Sequence, residues 1–237
     1  MALPKMNAPL YNVTIPSLKK EVKFRPFLVK EEKALLLAQQ SEDSKVMVNT
    51  LKSVIENCLV DKVDIEKLAI FDYEYLFTQI RAKSVGEEVE LYFLCDTCDD
   101  PKAKAHIAID LSKFAVEFPE GHDNKIELFD DVGVIMKNPG IETLDKLGKI
   151  KEGDIDSIFD VVAECIETIY TTEEAYPVKD QTKQEVIEFL ENLTQEQFKK
   201  VESFFLTMPK LRQKVEYDCP VCQKHHVKTM EGLESFF

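Results

Sequence analysis

The sequence predicts an α+β fold, helix-rich with a small antiparallel sheet, on three observations. Apolar residues recur at helical spacing through 30–83 and again through 141–207, they alternate at period two between about 87 and 137, and two Cys-x-x-Cys pairs, Cys95/Cys98 and Cys219/Cys222, each sit where one alternating run turns into another. Glu-Val-Glu-Leu-Tyr-Phe-Leu leads into Cys95 and Gln-Lys-Val-Glu-Tyr-Asp into Cys219, and each pair is followed by a second alternating run. This reads as two hairpins with a thiolate knuckle at each tip. Two residues between the thiols let both sulfurs reach one cation at ~2.3 Å, and the turn's backbone N–H groups point at them. A lone pair can be a redox centre, but two pairs flanked by strands fit a split zinc-ribbon-like arrangement, with Cys95, Cys98, Cys219 and Cys222 as one structural zinc site. The long interval between the pairs implies a region inserted inside the ribbon, since loop closure costs entropy only logarithmically in length.

Taken in order, residues 1–27 hold Pro4, Pro9, Pro16 and Pro26, short alternating apolar groups and no helical period, and are expected as an extended N-terminal arm lying on its own core or on a partner. A helical region follows at 28–86. Helices are expected from Lys30, from Ser41 or Ser44 to Cys58, over 64–68 and over 71–83, where Tyr73, Leu76, Phe77 and Ile80 form one stripe. The first knuckle and the sheet are expected at 87–140, with strands at 87–94, 104–110, 113–118 and 125–137, the last broken by a turn at Asp130-Asp131-Val132-Gly133. Residues 141–210 return to helical period, with Asp154 and Thr194 as N-caps and one helix expected over 154–171. The second knuckle hairpin and a C-terminal tail complete the chain at 211–237.

Composition bounds the function. Across 237 residues, 30 basic stand against 44 acidic groups, a net charge of −14, which argues against a nucleic-acid-binding ribbon because phosphates must be met by Lys and Arg. Lys102, Lys104, Lys214 and Lys224 near the knuckles instead balance the negative charge of a zinc tetrathiolate. No apolar run approaches a membrane span and no hydrophobic signal segment opens the chain, so a reducing cytosolic setting is expected; Cys58 and Cys165 then pack as core thiols. His106, His225 and His226 offer a competing ligand set; the plainer reading is polar residues on strand or turn surfaces. Gly-rich phosphate loops and nucleophile elbows are missing from the sequence, and the Asp pairs sit in turns, so neither an enzyme nor a small-molecule substrate is expected. Leu233, Phe236 and Phe237 form an apolar tail that either folds onto the core or plugs a groove on a partner.

Beside this reading stands a resemblance. Ile15-Pro16-Ser17, Lys23-Phe24-Arg25-Pro26-Phe27 followed by Glu31-Glu32-Lys33, Ile80-Arg81-Ala82-Lys83-Ser84-Val85-Gly86, both cysteine pairs and Gly232-Leu233-Glu234-Ser235-Phe236-Phe237 occur in an order that resembles the baseplate hub proteins, or hub assembly chaperones, of T-even-type contractile-tailed bacteriophages. The resemblance spans nearly the whole chain. It implies a non-enzymatic, chaperone-like assembly factor that binds hub subunits in the host cytoplasm, with retention in the virion baseplate as the alternative. Partners would be phage hub proteins, not nucleic acid, membrane or small molecules.

Overall fold

Period-two alternation wins near the N-terminus. Strands β1 (Tyr11–Ile15) and β2 (Lys20–Phe24) pair antiparallel, burying Val13, Ile15, Val22 and Phe24, while Pro16 and Lys19, whose φ is +50°, make the turn. Within the stretch expected as an extended arm, residues 11–24 are therefore a hairpin. The rest of the chain holds it: the Ser17 N–H donates to Asp72 Oδ1 at 2.9 Å, the Arg25 N–H to the Cys58 carbonyl at 2.9 Å and the Val60 N–H to the Lys23 carbonyl at 2.9 Å. The computed structural model describes residues 8–41, 43–98, 100–147 and 154–232.

Helices α1 (Val29–Gln40), α2 (Ser44–Cys58) and α3 (Ile70–Ser84) follow. Asp43 caps α2 by accepting from the Lys45 N–H, and α2 buries Leu51, Val54, Ile55 and Cys58 at helical spacing. The start of α1 uses a charge. Buried Glu31 accepts from the Leu28 N–H and from Arg25 Nη2, both at 2.8 Å, and lies 3.3 Å from Lys30 Nζ. Burial by itself would raise the Glu31 pKa, yet these donors together hold it below its ordinary value. A folded-state pKa below the unfolded one contributes stability that is present above the ordinary carboxylate range and lost as pH falls through the folded pKa. We expect Glu31→Gln to cost about 2–3 kcal/mol at neutral pH, because Arg25 loses its charged acceptor. Urea titrations at several pH values check this: the gap between parent and variant should narrow below about pH 4.

Strands β3 (Glu88–Leu94) and β4 (Lys104–Asp110) form a two-stranded sheet. Strand β5 (Ala115–Glu117) pairs with β10 (Lys210–Asp218), which pairs with β11 (His225–Glu231), giving the order β11-β10-β5. These elements share a core of Ala82, Ile109, Leu111, Phe114, Leu211, Val215 and Met230. They belong to a compact unit made of residues up to 65, 71–117 and 210 onward.

A second unit comprises 66–70 and 118–209. Strands β6 (Lys125–Phe129), β7 (Val132–Met136), β8 (Ile166–Tyr170) and β9 (Ala175–Pro177) form an antiparallel sheet in that order. Helices α4 (Ile141–Leu147), α5 (Ile155–Cys165), α6 (Lys183–Glu191) and α7 (Gln195–Thr207) complete it. Its core gathers Leu128, Val134, Met136, Val162, Cys165, Ile166, Val186, Leu190, Val201 and Phe204. Asp154 and Thr194 are N-caps, accepting from the Ser157 and Gln197 N–H groups, and Thr182 and Glu185 close a capping box on α6.

Two expectations need correction. The helix expected over 154–171 ends at Cys165, because Ile166, Thr168 and Ile169 are β-branched and find cross-strand partners at Met136, Ile135 and Val134. In place of the single small sheet expected around the knuckles, the described residues form four separate antiparallel sheets, and β7 pairs with both β6 and β8, whose strand character the helical apolar period concealed.

Candidate metal centre

Each knuckle is built by a strand ladder that runs to the thiols. Beyond the β3–β4 register the Cys95 N–H donates to the Ala103 carbonyl at 2.9 Å, and beyond β10–β11 the Cys219 N–H donates to the Lys224 carbonyl at 2.9 Å. Both turns then fold back under a cysteine sulfur. The Val221 and Cys222 N–H groups approach Cys219 Sγ at 3.4 and 3.5 Å, with Gln223 at φ +57° closing the turn. The Thr97 and Cys98 N–H groups address Cys95 in the same way. Such amide donors favour thiolate over thiol.

The two hairpins meet along a stack of rings. Phe93 of β3 stacks on Tyr217 of β10 at 5.1 Å, Tyr217 stacks on His226 of β11 at 5.0 Å, and the Tyr217 hydroxyl reaches the Leu94 carbonyl at 3.4 Å. This brings thiols 121 and 127 positions apart into contact: Cys98 Sγ lies 3.6 Å from Cys219 Sγ, and Cys95 Sγ lies 3.8 Å from Cys222 Sγ. All four sulfurs fall within 4.8 Å of one another.

The dimensions suit a metal ion. Four thiolates at ~2.3 Å around a tetrahedral cation stand about 3.8 Å apart, and these two pairs match that edge. Electrostatics point the same way. The Thr97 hydroxyl, 3.1 Å from Cys95 Sγ, and the turn amides push the Cys95 thiol down to about 5, and the Lys224 N–H lowers Cys222. Cys98 is pushed up, by burial first and then by the three sulfurs beside it. Sulfurs this close cannot all ionise without a shared cation.

The structure thus gathers all four cysteines singled out in the sequence and separates the three histidines. His106 pairs with Glu90 at 3.0 Å and stacks on Tyr92, and His225 pairs with Asp218 at 2.9 Å, both on exposed strand faces. His226 is different. It is only 8% exposed, and its Nε2 lies 3.3 Å from Cys95 Sγ. Reading it as a surface residue missed this, as it missed Thr97 and Asp96, whose Oδ1 stands 3.5 Å from His226 Nδ1. Hydropathy alone would have placed apolar Val227 inside, whereas period two counted from buried Met230 puts His226 on the inner face, opposite Tyr217, and leaves Val227 57% exposed. Leu233, Phe236 and Phe237 lie outside the described residues.

The chain is similar to the baseplate hub assembly protein gp26 of Enterobacteria phage T4, with 26% identity over 219 residues that cover 92% of this chain and 93% of that protein. No solved structure matches it. A family model described as T4 bacteriophage base plate protein matches residues 8–237, so the chain belongs to that family of phage base plate proteins.

Proposed function

We propose that this chain is a non-enzymatic assembly factor for the central hub of a contractile phage baseplate, binding hub subunits in the host cytoplasm and holding them ready for assembly. The observation that carries this reading is the likeness, over nearly all of both chains, to a protein named for hub assembly. The net charge of −14 supports it, because like charge keeps free copies apart in solution. Retention as a structural component is the second reading, favoured by the family's description as base plate protein. In either role Cys95, Cys98, Cys219 and Cys222 would hold one structural zinc, which neutralises the thiolates and clamps the two hairpins together.

Affinity capture of the tagged chain from infected cells, with identification of what it carries, tests the proposal. Hub subunits should accompany it, and the chain should be missing from purified mature particles. Capture without hub subunits counts against the assembly role, and one fixed copy number in mature particles favours the structural one. Leu233, Phe236 and Phe237 are proposed as the client contact, since an aromatic anchor at an interface centre is commonly worth ~2 kcal/mol or more. Replacing both Phe236 and Phe237 by Ala should weaken client binding about 30-fold while leaving the melting temperature unchanged. An unchanged affinity with a sharply lowered melting temperature would make them core residues.

A further inference from the structure

A buried histidine beside a thiol cluster needs a chemical reason, because a desolvated imidazole N–H or lone pair left unmatched costs stability. Around His226 the partners are few and specific. Tyr217 covers one ring face, Asp96 Oδ1 stands 3.5 Å from Nδ1, and Nε2 points at Cys95 Sγ from 3.3 Å. With Cys95 as a metal-bound thiolate, which only accepts, the proton of this contact would sit on Nε2. The same sulfur already receives the Thr97 hydroxyl and two backbone N–H groups.

We propose, resting on the metal reading above, that His226 is a positioning residue of the metal centre: it donates from Nε2 to Cys95 and thereby sets how tightly the four-cysteine site keeps its ion. A tetrathiolate around a divalent cation carries two net negative charges, and a donor at one sulfur spreads that charge; here the contact is part-buried, with the imidazole itself buried. The ring stack is what aims it. Tyr217 and His226 face each other within the β10–β11 hairpin, whose register orients the imidazole, and Phe93 of the other hairpin stacks on Tyr217 where the two hairpins meet. His226 thus completes the site without taking a ligand position from a cysteine.

The test uses cobalt(II) alone as the probe on the full chain, read by its visible and charge-transfer absorption and by competition with a chelator. The parent should show a four-sulfur spectrum. His226→Phe keeps a ring for Tyr217 and removes the donor; it should weaken cobalt binding about 10–100-fold with an unaltered four-sulfur spectrum. His226→Gln, whose amide reaches the Nε2 position, should restore most of the affinity, whereas the shorter His226→Asn should not. The Gln and Asn pair carries the comparison if the Phe variant folds poorly. Equal affinity in all four proteins overturns the proposal, and so does a three-sulfur, one-nitrogen spectrum in the parent, which would make His226 a ligand. A parent that takes up no cobalt overturns the metal reading itself, and this inference with it.

Discussion

Cys95→Ser should abolish metal binding and lower the melting temperature by roughly 10 °C or more, the largest effect expected of any single substitution here. Without a cation the cluster is electrostatically in conflict. Burial first and then the three other sulfurs push the Cys98 thiol up, while the Thr97 hydroxyl and the turn amides pull Cys95 down, so the site has charge to neutralise and too few donors to do it. A bound divalent cation removes that conflict, and its binding free energy, ~10 kcal/mol or more in small zinc domains, becomes folding free energy for the hairpins it joins. With Ser at 95 the remaining thiolates keep their mutual repulsion and lose the ion. Elemental analysis and thermal unfolding, run beside Cys58→Ala, give the comparison. Cys58 is buried near Arg25, outside the cluster, and its loss should leave the metal in place. A metal-free parent chain that is fully folded and thermally stable would contradict the account.

Phe204→Ala should be the next most damaging change, costing about 3–5 kcal/mol in the second unit. Phe204 of α7 is 2% exposed, meets Phe205 edge-on at 5.4 Å and stacks obliquely against His122 at 4.9 Å, so truncation leaves a cavity that helix and sheet cannot both close. Hydrogen exchange should show amides of 118–209 losing protection. Metal content per chain should stay at the parent's value, because every cysteine of the cluster belongs to the other unit. Loss of metal from this variant would mean that the two units do not fold as separately as their contacts suggest.

The sequence was most informative where one periodicity ruled alone. Helices α2, α3 and α7 lie where apolar spacing placed them, and Thr194 and Asp154 cap α7 and α5 as expected, because propensity, capping and burial agree there. The cysteine pairs were legible because their spacing allows little else, and the second unit occupies the long interval between them. Strand β8 was hidden. Val161, Val162, Cys165, Ile166 and Ile169 keep a helical apolar period, and only pairing with β7 decides that the last of them are strand. The β1–β2 hairpin was half visible: its alternation is plain, but prolines spaced through the segment suggested an arm, and the docking partners Asp72 and Cys58 are 55 and 33 positions away along the chain. His226 was not legible, since neighbouring His225 and His226 look alike until the register puts one opposite Asp218 and the other opposite Tyr217.

The hub-assembly reading meets its most direct test in an infection by phage lacking this chain, with purified tail intermediates analysed for their hub subunits. The account predicts that peripheral baseplate parts accumulate without an assembled hub, and that a supplied copy of the chain restores complete tails. Normal yields of complete, hub-containing tails in its absence would contradict it.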